Sequence, residues 1–234
     1  MKFVIEDIAV EVERKRMKNI LLTIKRDSGG VHISAPYHIT NDEIYAFISS
    51  RLSWIRKHQA KLAIQASDYI KPQKYISGEK LLVWGEERTL EIQEGSQMGL
   101  WDFLNDRVVL PVPFGADIKK RKELLQFWYE QELKLMLPSV VAKVENKTGL
   151  HVDNWKIKKM KSAWGICKPS DSRISINVVL AQFKPVFLEY IVTHELLHLL
   201  ELNHGERFKA HMDEYFPNWR ETRQELNKYT YLID

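Results

Sequence analysis

The stretch HELLHLLELNH, residues 194–204, places three histidines and a glutamate in a run that is otherwise mostly leucine. It continues a segment from Pro185 to Leu202 whose apolar residues leave almost no polar side, so we predict a buried helix over this segment. Burying a charged or unpaired polar group costs free energy unless a partner compensates for it. His194, Glu195 and His198 therefore need partners.

The spacing of these residues indicates a metal site. His194 and His198 are four residues apart, which leaves them about 40° apart around the helix axis, so both imidazoles project from one face and can share a metal. Glu195 lies about 100° further round, where it can reach a water on that metal without occupying a coordination position. This is the HExxH arrangement, in which two neutral imidazoles hold zinc and the glutamate takes a proton from the water.

A third protein ligand is expected, because catalytic zinc usually has three and leaves a fourth position for water. On a continuous helix His204 would face about 240° away from His198. We therefore predict that the helix ends between them, with Asn203 in the left-handed conformation and Gly205 assisting the break, so that His204 returns to the metal. The competing third ligands are Glu201, Glu206, His211 and Glu221.

Other candidate residues carry weaker signals. A group that polarises the substrate oxygen has four candidates for which packing or surface roles are favoured: His211, Tyr215, Tyr229 and Tyr231. For Cys167 a small apolar role is favoured over metal ligation. The strands before the histidine helix offer an edge to which an extended peptide can add as another strand, although an ordinary hairpin is the simpler interpretation.

The N-terminal half alternates short β-rich runs with turn residues. ILLTIKR (20–26) and VHISAP (31–36), joined by Asp27-Ser28-Gly29-Gly30, predict a β-hairpin. One amphipathic helix over 39–66 follows, capped by Thr40 or Asn41. Further short strands are predicted at KLLVWG (80–85), RTLEIQ (88–93) and RVVLPV (107–112). Residues 1–115 are thus predicted to form a β-rich N-terminal region with one helix.

From Ala116 the pattern becomes helical, and residues 116–234 are predicted to form the metal-binding domain. A long helix is expected to kink or restart at Pro138 and to end at Gly149. Two strands are predicted around WKIKKMKSAWGIC (155–167) and RISINVVL (173–180), with the turn cluster KPSDS between them. The predicted fold class is α+β.

Composition and charge restrict the class of protein. The 234 residues are 44% apolar and carry a formal net charge of +4, which is typical of a globular protein. One cysteine rules out an intrachain disulfide framework, and the N-terminus lacks the features of a signal peptide. No apolar run approaches the ~20 residues that span a bilayer. We therefore expect a cytoplasmic protein that does not bind membranes.

The chain resembles the YgjP-like branch of zinc metallopeptidases, which is related to the SprT-like and wider HExxH peptidase groups. The resemblance rests on SAWGIC (162–167), RISINVVL (173–180) and HELLHLLELNHGERF (194–208), and it extends over nearly the whole chain through LSWIRKH (52–58), SGEKLLVWGEERTLEI (77–92) and FWYEQEL (127–133). It implies a compact zincin-like core, in which a short sheet lies beside the helices, with metal ligands at His194, His198 and His204 and the base at Glu195.

The chain departs from the family pattern at three positions. The family usually has an arginine before the tryptophan of the WGxC stretch and a small polar residue within it, where this chain has Ala163 and Ile166. An aromatic residue often follows the phenylalanine after the third histidine, and here that position is Lys209. The role of the missing arginine is therefore open.

The sequence is compatible with three functions. The leading hypothesis is a zinc-dependent metallohydrolase of the metallopeptidase type, with one zinc ion or another divalent metal and a peptide or protein substrate. The alternative is a nucleoside triphosphate (UTP) pyrophosphatase, an activity also assigned to family members, whose triphosphate KIKKMK (156–161) would neutralise. The third is a non-catalytic zinc module that binds nucleic acid, the least favoured partner, through RKRMK (14–18), KKRK (119–122) and KIKKMK.

Overall fold

The computed structural model describes residues 2–25, 29–69, 73–95 and 106–233, with the side chains of Lys2, residues 61–69 and Tyr231 excepted. The chain divides into two compact units, residues 1–72 and 73–234. Strands and helices occur in both units, and the predicted α+β class is confirmed.

The first unit contains a four-stranded sheet in the order β1-β2-β4-β3. Strands β2 and β4 are parallel, whereas β1 pairs with β2 and β3 pairs with β4 in antiparallel fashion. The β3–β4 pair confirms the predicted hairpin, and its turn residues Asp27 and Ser28 lie outside the described residues. The strands are β1 (Lys2–Ile5), β2 (Ile8–Lys15), β3 (Leu21–Ile24) and β4 (Val31–Pro36).

Two helices complete this unit, α1 (Asn41–Ser49) and α2 (Leu52–Tyr69). Thr40 caps α1 as predicted, because its side chain accepts the Glu43 N–H while the Glu43 carboxylate accepts the Thr40 N–H at 2.7 Å. The prediction of one helix over 39–66 is wrong. The Ser50 hydroxyl donates to the Phe47 carbonyl at 2.8 Å, a local bond that competes with the helical ladder at the point where α1 ends.

The second unit begins with a three-stranded sheet in the order β5-β6-β7. These strands are β5 (Lys80–Val83), β6 (Glu86–Glu94) and β7 (Arg107–Val112), as predicted. Their buried residues, among them Leu90 and Leu110, belong to one apolar core with the helices that follow. For this reason the compact units divide at residue 72, although the sequence pattern changes from strands to helix at residue 115.

Helix α3 (Ile118–Thr148) crosses the core of the second unit. Asp117 caps it by accepting the Lys120 N–H at 2.7 Å, and Gly149 ends it as predicted, in the left-handed conformation with φ 71°. Pro138 lies inside the helix and does not end it. The apolar residues along one side of the helix are buried: Leu124, Leu125, Trp128, Tyr129, Leu133 and Leu137.

A second three-stranded sheet has β10 (Arg173–Asn177) at its centre, parallel to β8 (Asn154–Lys158) and antiparallel to β9 (Gly165–Lys168). The predicted strand over 155–167 is therefore two strands on opposite sides of β10. The loop 159–164 between them carries the chain across the sheet. Strand β9 lies at a sheet edge.

Three helices follow, α4 (Pro185–Leu197), α5 (Glu206–Tyr215) and α6 (Trp219–Leu226). Helix α4 packs against α3, α5, α6 and β9, which accounts for its nearly continuous burial. It begins at Pro185 as predicted but ends at Leu197, five residues before the predicted end at Leu202. No helix among the described residues combines the length and the apolar character that crossing a membrane requires.

The Gly149 end of α3 gives a stability prediction. Replacement by alanine at φ 71° should lower the free energy of unfolding of the second unit by about 1–2 kcal/mol, because a Cβ disfavours the left-handed region. Nothing lies within 4 Å of the added Cβ, so no steric clash adds to this cost. Gly149→Asn should lower the free energy of unfolding by less, since asparagine tolerates the left-handed conformation. Urea unfolding measures both variants, and equal stability of the two would contradict the backbone explanation.

Candidate metal centre

Three imidazoles meet at the end of α4. The nitrogens that His194, His198 and His204 offer as ligands lie within 4.8 Å of one another, and Nε2 of His194 is 2.9 Å from Nε2 of His204. No other histidine, cysteine or acidic residue of the described chain joins this cluster. The predicted histidines are thus brought together, and three nitrogen donors at this separation fit a divalent metal of zinc's ligand preference.

The chain reaches His204 by an early end to the helix. The Leu199 and Leu200 amides donate three residues back, to the Leu196 and Leu197 carbonyls at 2.9 and 3.0 Å, which tightens the last turn. The predicted left-handed break at Asn203 is wrong, since Asn203 has no positive φ. The reversal is spread over residues 198–205, and this length makes a single left-handed residue unnecessary.

A backbone carbonyl in this reversal orients His198. Nδ1 of His198 lies 2.9 Å from the Glu201 carbonyl oxygen, which can only accept, so Nδ1 carries the proton and donates it. The lone pair of His198 is then on Nε2. The Glu201 carboxylate pairs in turn with Arg207 at 2.8 Å. The sequence did not reveal this partner, because a carbonyl acceptor has no signature in side-chain identity.

The Phe208 ring forms an apolar floor beneath the imidazoles. Its centroid lies 4.9 Å from those of His194 and His198 and 4.8 Å from that of His204, and its side chain is 2% exposed. It stacks on His198 and meets the other two rings edge-on. Phe208 lies on the first turn of α5, so the packing of α5 against α4 fixes all three rings at once.

The imidazoles are held in the form that binds metal. Burial, followed by the neighbouring His198 and His204, lowers the pKa of His194 to about 3. Burial and His198 also lower the pKa of His204. The charge of Arg223, an exposed residue of α6, contributes to both shifts. Both rings are therefore neutral at pH 7, and protons do not compete with a metal for them.

Glu195 is buried beside strand β9. Its side chain is 5% exposed, and burial raises the pKa of its carboxyl to about 7, an effect opposed by a hydrogen bond from the Cys167 backbone N–H. A Cβ at Gly165 would lie 2.7 Å from Glu195 Cγ and 2.8 Å from its Oε1. The backbone of β9 therefore approaches the carboxylate as closely as a glycine permits.

The competing metal ligands lie outside the histidine cluster. Glu201 pairs with Arg207, Glu206 pairs with Lys209 at 2.6 Å, and neither His211 nor Glu221 joins the three imidazoles. Cys167 is also outside it, and burial, followed by the Glu195 charge, raises the pKa of its thiol to about 11. The thiol is thus protonated, as the favoured apolar role predicts.

The candidates for a group polarising the substrate oxygen show contacts of packing type. The rings of His211 and Tyr215 stack at 6.2 Å, and Tyr229 packs on Phe183 at 4.6 Å. The side chain of Tyr231 lies outside the described residues. These ring contacts fit the packing interpretation of the three side chains that the structure describes.

The family assignment follows from the sequence as a whole. Residues 18–229 match the model of the YgjP-like metallopeptidase domain. The chain belongs to the YgjP-like metallopeptidase family. As a YgjP-like metallopeptidase it is a metal-dependent hydrolase, which removes support from a non-catalytic zinc module. Nothing in these comparisons supports the UTP pyrophosphatase alternative. No curated protein matches the chain significantly.

Two solved structures overlap with part of this YgjP-like chain. The metallopeptidase zymogen abylysin of Pyrococcus abyssi is 17% identical over 38% of this chain and 90% of its own, with a TM-score of 0.36. The zymogen jannalysin of Methanocaldococcus jannaschii is 23% identical over 39% of this chain and 93% of its own, also with a TM-score of 0.36. The family assignment rests on the sequence match alone.

The floor beneath the histidines gives a prediction on metal affinity. Phe208→Ala should weaken binding of zinc by about 10-fold or more, because loss of an outer group that orients metal ligands typically costs 10–100-fold. The matched control is Phe187→Ala, which removes an equally buried ring that contacts none of the three histidines. Competition with a chromophoric chelator measures both affinities. Equal affinities in the two variants would show that Phe208 only fills the core.

Proposed function

We propose that this metallohydrolase is a zinc-dependent peptidase in which His194, His198 and His204 hold the metal and Glu195 is the general base. The observation that supports it most is the convergence of three imidazoles on one point next to a buried carboxyl group. A divalent metal there would act as a Lewis acid that polarises a carbonyl and makes water more acidic. Zinc is the proposed ion because imidazole donors suit it, with other divalent metals as alternatives.

Glu195 has the properties of a proton carrier. A pKa of about 7 places its two protonation states close in free energy at neutral pH, which is where a general base and acid is most efficient. Its carboxylate can take a proton from the attacking water and deliver it to the nitrogen of the leaving amine. The Cys167 N–H holds the carboxylate while it does so.

The position of strand β9 favours a peptide as substrate. It is the edge of its sheet, and its Gly165 contacts Glu195 directly. An extended peptide that pairs with β9 as an additional strand would be brought alongside the general base. The lysines invoked for a triphosphate offer less, because Lys159 donates to Gln126 at 3.1 Å and the position where the family has an arginine is Ala163 in this chain. Location in the cytoplasm stays a prediction from the sequence.

Replacement of Glu195 by glutamine tests the proposed chemistry. The variant keeps the shape of the side chain but cannot take a proton, so kcat on peptides should fall by about 10²–10⁴-fold with metal content unchanged. Glu189→Gln is the control, because Glu189 lies on the same helix and pairs with Lys143 at 2.7 Å instead of facing the site. The measurement is hydrolysis of a fluorogenic peptide library by zinc-loaded protein, with metal content determined on each sample.

Two results would contradict the proposed function or the proposed role of Glu195. If the zinc-loaded wild-type protein cleaves no peptide of the library, the peptidase proposal is wrong. If it cleaves peptides and Glu195→Gln cleaves them equally well, the role of Glu195 is wrong while the peptidase activity stands. Release of pyrophosphate from UTP by wild-type protein and not by Glu195→Gln would favour the nucleotide alternative.

Replacement of His204 by alanine tests the third ligand. It should weaken zinc binding by more than about 100-fold, beyond the 10–100-fold that loss of an outer group typically costs. His211→Ala is the matched control, since His211 was the competing histidine and stacks on Tyr215 away from the cluster. Equilibrium dialysis against buffered zinc gives both affinities. A larger loss in the His211 variant would reverse the assignment.

A further inference from the structure

Asn177 is a fully buried amide close to the proposed base. It is the last residue of β10 and its side chain has no exposed surface. Burying a side-chain amide costs free energy unless each of its donors and acceptors has a hydrogen-bond partner. Neither the sequence pattern nor the proposed chemistry gives it a role.

The side-chain amide and the backbone N–H of Asn177 are all hydrogen-bonded, and most of these bonds hold one loop. The side-chain Nδ2 donates to the carbonyls of Met160 at 2.9 Å and Ala163 at 2.8 Å. The backbone N–H donates to the Trp164 carbonyl at 2.9 Å, and Oδ1 accepts the Val179 N–H at 3.3 Å. One residue therefore fixes three carbonyls of the loop that runs from β8 to β9.

This loop leads directly to the contact between β9 and Glu195. The residue after Trp164 is Gly165, which pairs with Ile176 of β10 and approaches Glu195 so closely that a Cβ would overlap it. Two residues further on, the Cys167 N–H donates to the same carboxylate. A shift of the loop moves the start of β9, and with it the backbone that touches Glu195.

We propose that Asn177 is a positioning residue for Glu195, acting through the loop 160–164 and strand β9. Only a side chain with two amide hydrogens can bond the Met160 and Ala163 carbonyls together from this place. Aspartate has the same shape without these donors, and serine has too few and is shorter. The inference rests on the proposed role of Glu195 for its catalytic meaning, and the hydrogen bond to Cys167 tests it without catalysis.

The first test separates positioning from binding. Asn177→Ser should lower kcat on the peptides selected in the library screen by about 10- to 100-fold, because displacements of about 1 Å cost on that order. KM and the zinc content should stay within about twofold, since the histidines are untouched. Val141→Ala is the control for lost stability, because it removes buried atoms of the same core from α3, and its kcat per zinc-loaded molecule should equal that of wild type.

The second test needs no substrate. Amide hydrogen exchange of Cys167, followed by NMR, should accelerate by more than about tenfold in Asn177→Ser and approach the rate in Glu195→Ala, while the amides of Ile174 and Ile176 on β10 keep their protection. Exchange at Cys167 that equals the wild-type rate overturns the inference, whatever the peptidase assay gives. A wild-type protein that cleaves no peptide refutes the proposed function and leaves this exchange result to decide on Asn177.

A second variant keeps the test decisive if Asn177→Ser does not fold. Asn177→Asp keeps the side-chain volume and removes the same donors, so it should show the same faster exchange and lower kcat if it folds. If both variants fail to fold while Val141→Ala folds, Asn177 serves the whole core and the positioning role is overturned. If either variant folds with full kcat per bound zinc, the role is likewise overturned.

Discussion

Helix α4 is packed on several sides by other elements, and yet its last two turns carry Thr193, Glu195 and His194. Polar groups in such surroundings must each be satisfied, because water cannot reach them. Thr193 bonds the Glu189 carbonyl of its own helix at 2.8 Å. Glu195 and His198 take partners outside the helix: a backbone amide of β9 and a carbonyl of the reversal. A metal shared by the three histidines belongs to the proposed function.

The reversal over residues 198–205 and helix α5 supply the partners of the histidines. Ending the helix at Leu197 leaves eight residues before α5, which suffices to turn His204 back and to bring the Glu201 carbonyl onto His198. Helix α5 then places Phe208 under all three rings. An apolar floor has two effects, since it fixes the ring orientations and also removes water that would stabilise a protonated imidazole. The low pKa of His194 follows from this burial.

The sheet β8-β10-β9 supplies the partner of Glu195. Strand β9 reaches Glu195 only because Gly165 has no side chain and because the loop before it is anchored on Asn177. Two buried polar side chains with different properties, Asn177 and Glu195, thus act on the same strand. The Asn177 side chain is buried and hydrogen-bonded, whereas Glu195 has a raised pKa and can exchange a proton. A fully satisfied polar network beside a group that titrates is how a protein combines fixed geometry with proton transfer.

Much of the fold was predictable wherever the signal is local. The cap at Thr40, one of the two residues predicted to cap α1, and the end of α3 at Gly149 follow from the chemistry of neighbouring residues, and both are as predicted. The predictions were wrong where alternative local structures of the chain are nearly equal in free energy. The break at Ser50 involves a side-chain bond to the Phe47 carbonyl, whereas the crossing of the chain between β8 and β9 and the early end of α4 depend on packing against distant segments, which local pattern does not record.

The candidate site divides in the same way. The sequence by itself determined the HExxH spacing, because the helical repeat places His194 and His198 on one face, and it determined that the helix must be buried. Only the tertiary structure decided how His204 joins them, which carbonyl orients His198, and that Phe208, Gly165 and Asn177 support the site. The physical reason is that these contacts use backbone atoms and ring faces, which every residue of the same type offers equally, and only the path of the folded chain decides which of them meet.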